Sequence, residues 1–293
     1  MYDKIAIVRK IGNGLDPVVD DLAHIVATYG EDYNIPVYDH HLGTNLPEDA
    51  MDVLFVSLGG DGTLIYTAQV SMQYDNASIV GFNLGNLGFL TEDIMVGEST
   101  RNYIYTYLDA IFNGQDTVKA DKRMMLSSHV YIDRRLVASD PFHAMNEITL
   151  YTSLRNFIDT DVAINGLEVG TYGGNGATVT TSTGSTALGL SAGGALISPQ
   201  TYVMQIVPLL PHKVAKQPII TSGNDSIRLR SEVSHRSQKL YVLADSRQIC
   251  ELDYGKDEHV VDVVIKKARK DVVIWRPQAW NFFNVLAQKM DWK

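Results

Sequence analysis

The sequence predicts two domains: an α/β N-terminal domain on a doubly wound, mostly parallel sheet, and an all-β, sandwich-like C-terminal domain. Over residues 1–115, short apolar runs alternate with segments of helical spacing, which is the rhythm of βαβ units. Over residues 116–275, the pattern changes to closely spaced segments of period two. A final amphipathic stretch, 277–290, reads as a helix that packs back on the first domain.

Each element has its own signal. "KIAIV" (4–8) is a short buried strand, and "LDPVVDDLAHIVATYG" (15–30) sets Val18, Leu22 and Ile25 at helical spacing and stops at Gly30. "DVLFVSL" (52–58) and "SIVGFN" (78–83) are strands flanking the helix "TLIYTAQVSMQ" (63–73). "TRNYIYTYLDAIFNG" (100–114) is a helix closed by Asn113-Gly114. Beyond it, "RMMLSSHVYID" and "DVAINGLEVGTY" alternate in period two, and Asn165-Gly166 marks a two-residue hairpin turn. "SIRLRS", "KLYVLADS" and "HVVDVVIKKA" continue the strands. "TSTGSTALGLSAGGAL" (181–196) is the exception, a small-residue loop entering a helix.

Composition narrows the class. A chain of 293 residues is long enough for two domains and a large core. A formal net charge of −9 disfavours a broad grip on nucleic acid or anionic membrane. A phosphate-bearing small molecule is compatible with that charge, since backbone N–H groups bind phosphate. One cysteine, Cys250, excludes an internal disulfide and a multi-cysteine metal site. The opening run is too short for a signal peptide and no segment approaches a membrane span, so a soluble, cytoplasmic protein is expected.

Four segments carry candidate chemistry. In "GGDGT", Gly59, Gly60, Gly62 and Thr63 surround Asp61 between a buried strand and a helix. Either this is a phosphate cradle at a helix N-terminus, or a tight βα turn whose aspartate caps the helix. A carboxylate inside a cradle repels phosphate unless it serves a cation or a proton to be removed, which favours function for Asp61. "GFNLGNLGFL" (81–90), with Gly85 and Gly88 beside Asn83 and Asn86, follows the next strand and could share that crevice. Asn146-Glu147 interrupts apolar residues at a strand start, either as a site or as an edge-strand polar pair. "GGNGATVTTSTGSTALGLSAGG" (173–194) is too rich in small hydroxyl residues to pack as ordinary core.

Together, "GGDGT", "NLGNLGFLTED", "NEITL" and "TSTGSTALGLSAGGALISP" resemble the NAD kinases of bacteria in order and spacing. "VPLLPHKVAKQPII" (207–220) and "LADSRQI" (243–249) extend the likeness over about residues 50–290. "GGDG" alone would also suit lipid kinases and phosphofructokinases. The resemblance implies transfer of phosphate from ATP to the adenosine ribose 2′-hydroxyl of NAD, with Mg²⁺ or another divalent cation, by a homodimer or homotetramer. It assigns catalysis to Asp61 and phosphate contacts to Gly59, Gly60, Gly62 and Thr63. It assigns dinucleotide contacts to Asp61, Gly62, Asn146, Glu147, Asn175, Thr186, Ala187, Leu188, Ser191 and Arg247. No metal ligand is assigned.

The chain departs from that family at several places. Asn175 stands for an aspartate, Ser182 and Leu188 for a proline and a tyrosine, Arg247 for a glutamine, and Gln217 and Gly173 for arginines. Asp61 is kept. The alternative reading is therefore a weakly catalytic or non-catalytic NAD(P)-binding protein on the same fold. A restored pocket, Asn175→Asp with Leu188→Tyr, is expected to tighten NAD binding by roughly tenfold to a hundredfold. The remaining features carry little. "KKARK" (266–270) reads as a solvated strand end, and His40-His41 lacks metal-ligand spacing. Gly12 and Gly14 lack the third glycine of a dinucleotide fingerprint, where Pro17 stands.

Overall fold

The computed structural model describes residues 2–9, 17–39, 46, 47, 49–83, 88–93, 97, 99–154, 156–212, 217–233, 239–253 and 258–291. Gly12, Gly14, His40, His41, Gly85 and Asn86 lie outside the described residues. The chain forms two compact units, Met1–Lys122 with Val272–Lys293, and Arg123–Asp271. The first unit thus runs past residue 115, because the strand at 118–123 joins its sheet.

The first unit is an α/β layer structure. Its strands are β1 (Lys4–Arg9), β2 (Val37–Asp39), β3 (Val53–Leu58), β4 (Ser78–Asn83), β5 (Glu92–Asp93), β6 (Val118–Arg123) and, from the end of the chain, β20 (Val272–Pro277). They order as β2-β1-β3-β4-β20-β6, with β5 on β4. The pairs β1–β2, β1–β3, β3–β4 and β4–β20 are parallel. Every residue of β3 and β4 is buried, which explains their unbroken apolar runs: a parallel sheet is covered on both faces. Helices α1 (Pro17–Tyr33), α2 (Asp61–Ser71), α3 (Thr100–Phe112) and α5 (Phe282–Lys289) complete the unit. Leu22 and Val26 of α1 and Ile104 and Leu108 of α3 share one core with Ile5, Ile7, Leu54 and Val80 of the sheet.

Helix boundaries shift from the sequence reading: α2 spans Asp61–Ser71 rather than 63–73, and two further shifts have a clear cause. Gly30 does not end α1, which continues to Tyr33 before Asn34 takes a positive φ of 55°. A side chain on Gly30 would collide with Val37 and the Ile35 carbonyl, so this glycine serves close packing against β2. The C-terminal helix begins at Phe282 rather than 277, because residues up to Pro277 belong to β20. Asn281 caps it by accepting the Phe283 N–H at 2.9 Å.

Among the described residues, the second unit is all β apart from α4 (Leu188–Ser191) and a short 3-10 turn. In chain order its strands are β7 (Leu126–Ile132), β8 (Arg135–Leu136), β9 (Phe142–Ala144), β10 (Glu147–Thr152), β11 (Ile158–Ile164), β12 (Leu167–Gly174) and β13 (Gly176–Thr181). They continue with β14 (Val203–Leu209), β15 (Ile219–Ser222), β16 (Ile227–Val233), β17 (Lys239–Ala244), β18 (Arg247–Asp253) and β19 (His259–Lys267). One sheet orders as β15-β14-β13-β10-β17-β18, the other as β12-β11-β16-β19-β7-β8 with β9 on β7. Apolar residues of both sheets, among them Ile148, Val179, Leu229 and Val263, form one core. The β11–β12 hairpin turns at Asn165 and Gly166 with φ of 52° and 80°, the two positive angles that an Asn-Gly turn supplies.

Candidate active site

The sheet order of the first unit sets where its site must be. From β1 the chain goes to β2 on one side and then crosses to β3 on the other, so the order reverses between β1 and β3. In open α/β sheets, ligands bind beyond the carboxyl ends of strands at such a reversal. The carboxyl end of β3 is where Gly59, Gly60 and Asp61 follow Leu58.

Asp61 is the first residue of α2, yet its carboxylate does not cap that helix. It crosses to the segment after β4. Oδ2 accepts the Phe89 N–H at 2.8 Å; Oδ1 accepts the Leu90 N–H at 3.0 Å and the Thr91 hydroxyl at 3.1 Å. The "GGDGT" turn and the "GFLT" segment are therefore locked together. An ionised carboxylate has about four lone-pair sites, so three donors leave about one, on Oδ2. Gly88 makes this possible, because a methyl group there would collide with Asp61 Oδ1 and Thr91 Oγ1. Gly62, in contrast, has no atom within 4 Å of where a side chain would start, so it faces open space. One expected phosphate donor is spent: the Thr63 N–H turns back to the Gly60 carbonyl at 3.0 Å.

In the second unit, Asn146 and Glu147 are held by their main chain. Asp245, at the β17–β18 turn, accepts three consecutive N–H groups: Met145 at 3.0 Å on Oδ2, and Asn146 at 2.7 Å and Glu147 at 3.2 Å on Oδ1. Its own N–H returns a bond to the Glu147 carbonyl at 2.8 Å. The hydroxyl-rich turn seats on the same residues. The Thr181 N–H donates to the Asn146 carbonyl at 2.8 Å and the Thr181 hydroxyl to the Met145 carbonyl at 2.6 Å. Gly184 is required here, since any side chain would enter the Asn146 main chain.

Glu147 is 8% exposed, and its Oε2 has no hydrogen-bond partner among the described residues. Burial, then the nearby Asp245 charge, push its carboxyl up to about 8, against the opposing pull of the Leu188 N–H that bonds it. At neutral pH it is mostly protonated and can both donate and accept.

The small-residue segment has a structural cause as well. Ser185 donates to the Ser182 carbonyl at 2.7 Å, Thr186 to the Thr183 carbonyl at 3.1 Å, and Ser182 to Thr201 O. These hydroxyls close the turn, and Thr186 keeps acceptor capacity. Ala187 and Leu188 are half-buried, while Ser191 is exposed. Arg247 is exposed on β18; with burial and Lys270 acting first, its charge helps to lower the His143 imidazole. Gln217 is exposed and offers its carbonyl to the Tyr172 hydroxyl at 3.1 Å.

Asn175 corrects one expectation. Its amide donates to the Ser153 carbonyl at 2.9 Å and the Asn156 carbonyl at 3.0 Å, and it is 8% exposed. Two facing carbonyls fix the amide orientation, and a carboxylate there would meet two acceptors. An aspartate there would lose both hydrogen bonds, a cost that the expected gain in NAD binding does not include.

Asp245 and Thr91 are not singled out by the sequence, although both lie within the motif segments 243–249 and 83–93. Among the described residues, no group of three His, Cys, Asp or Glu side chains is placed to hold a metal. No described helix is long and apolar enough to cross a membrane.

Comparison with known proteins identifies relatives over most of the chain. Residues 145–269 match the family described as ATP-NAD kinase C-terminal domain. A protein named NAD kinase from Sulfurimonas denitrificans is 32% identical over 238 residues, which is 81% of this chain and 76% of that protein. One of the same name from a Thermoanaerobacter species is 35% identical over 237 residues, 80% of this chain and 77% of that protein. The crystal structure of yeast NADH kinase complexed with NADH matches with a TM-score of 0.75 at 20% identity, covering 100% of this chain and 88% of that one. An NAD kinase from Archaeoglobus fulgidus in complex with ATP gives 0.66 at 22% identity, covering 98% of each chain. At such identities the structural likeness speaks for the fold.

Proposed function

The chain belongs to the NAD kinase family, and on that premise we propose that it phosphorylates the adenosine ribose 2′-hydroxyl of NAD with ATP, giving NADP and ADP. The observation that carries the mechanism is the Asp61 carboxylate, oriented by three donors at the sheet's reversal point with one lone pair left on Oδ2. In this reading the 2′-oxygen bonds to the γ-phosphorus and the bond from that phosphorus to the β,γ-bridging oxygen breaks. The hydroxyl proton passes to Oδ2. General-base help of this kind is typically worth about 10²–10⁴-fold. Gly60 and Gly62 leave the phosphates a close approach to the main chain at the α2 N-terminus.

Dinucleotide contacts complete this reading. Asn146 and Glu147 take the adenosine part, and residues Thr186 to Ser191 line the same molecule. A Glu147 that is protonated at neutral pH suits a partner carrying both a donor and an acceptor, as a ribose hydroxyl does.

A divalent cation such as Mg²⁺ belongs to the reading as a companion of ATP. A cation bound through nucleotide phosphates and water needs only one or two protein carboxylates and would offset phosphate charge. The one lone pair left on Asp61 Oδ2 serves either such a cation or the proton, not both. The reading also includes a homo-oligomer and a cytoplasmic setting.

The test is direct: incubate the pure protein with NAD, ATP and Mg²⁺ and assay NADP. Background NADP with several divalent ions and phosphoryl donors would replace the enzyme by a dinucleotide-binding protein.

A further inference from the structure

Arg276 lies on β20 with 0% exposure. A guanidinium so deeply buried is costly unless it is paired and hydrogen-bonded. It meets two carboxylates: Nη1 donates to Glu92 Oε1 at 3.0 Å, and Nε to Asp121 Oδ2 at 3.4 Å. The Trp280 ring covers it, 4.5 Å from the guanidinium carbon.

Its remaining contact is of a different kind. Nη2 donates to the main-chain carbonyl of Phe89 at 3.4 Å. That same residue gives its N–H to Asp61 Oδ2 at 2.8 Å. One residue therefore stands between the buried cation and the carboxylate of the "GGDGT" turn. Helix α5 presses on the same point: the Phe282 ring is 6.3 Å from that of Phe89, and Lys289 Nζ lies 4.5 Å over it.

We infer that Arg276 is a positioning residue, which through Phe89 fixes the direction in which Asp61 Oδ2 presents its remaining lone pair. The C-terminal return of the chain then aims the carboxylate as well as completing the core. Asp121 and Glu92 hold the guanidinium in place, and the Phe89 carbonyl transmits its position. The kinetic consequence rests on the NAD kinase reading; the geometric one does not.

The test is Arg276→Lys in the full-length protein. A lysine keeps a charge for Glu92 but cannot span Glu92, Asp121 and Phe89 together. The expected result is a kcat lower by about tenfold or more, with KM for NAD and ATP within about threefold. Amide hydrogen exchange at Phe89 and Leu90 should quicken, while exchange in β10 stays at the parent rate. A variant that loses thermal stability yet keeps kcat within about twofold and keeps Phe89 protected overturns the inference, since a packing role alone predicts that pattern. Should Arg276→Lys fail to fold, Glu92→Gln loosens the guanidinium instead and must show the same split, in smaller measure. Unchanged kcat and exchange in Glu92→Gln would then overturn it. If the parent protein makes no NADP, the kinase reading falls, and the exchange of Phe89 still decides the geometric claim.

Discussion

The Asp61 carboxylate occupies the space that a side chain on Gly88 would fill. A side chain at position 88 and the carboxylate in its present place exclude each other. Gly88→Ala must push Oδ1 away from the Leu90 N–H and the Thr91 hydroxyl. Displacements of about 1 Å cost roughly 10²-fold in rate. The expected outcome is a kcat lower by about that factor, with a folded protein and NAD affinity within about threefold. Steady-state kinetics with calorimetry checks it, and a normal kcat would free Asp61 from this constraint.

Asp245 should matter through the main chain it holds. Asp245→Asn replaces one acceptor by an NH₂ group facing N–H donors at 145–147. Leaving a buried donor unsatisfied costs about 1–3 kcal/mol. KM for NAD should rise by roughly tenfold, since that energy spans about one to two decades. An unchanged KM would show that the clamp is dispensable for Asn146 and Glu147.

Glu147 makes stability depend on pH. Its folded-state carboxyl is raised from 4.5 to about 8, so between those values the folded chain holds a proton that the unfolded chain has lost. The unfolding free energy therefore falls as pH rises through that window, and the loss is complete above about 8. Glu147→Gln removes this contribution. Urea midpoints should show the variant gaining on the parent between pH 5.5 and 8.5; parallel midpoints would place Glu147 in a wetter setting.

Asn175→Asp is expected to weaken the protein. Its carboxylate would face the Ser153 and Asn156 carbonyls and lose both hydrogen bonds. A loss of about 1–3 kcal/mol follows, seen as a lower melting temperature, with no gain in NAD affinity from Asn175→Asp alone. Tighter NAD binding in calorimetry would contradict this account of the turn.

What the sequence made legible follows from physics. The runs at 52–58 and 78–83 are continuous because β3 and β4 are covered on both faces, and Asn165-Gly166 names its own turn. Asp61 stood out because an acid among glycines conflicts with a simple phosphate cradle. Gly30 misled, because a glycine that admits Val37 looks the same in sequence as one that ends a helix. Asn175 misled because the carbonyls it serves come from another turn, at 153 and 156. The Asp245 clamp and the Arg276 contact to Phe89 join residues about 100 and 187 positions apart, beyond any local pattern.

In the proposed function, Asp61 takes the 2′-hydroxyl proton of NAD. Asp61→Asn retains the size of the side chain and removes its charge. The decisive measurement is the kcat for NADP formation by Asp61→Asn beside the parent protein, with NAD affinity measured on both. The expected kcat is lower by roughly 10²-fold or more, while NAD binding stays within about tenfold. A variant that turns over near the parent rate would contradict that role for Asp61.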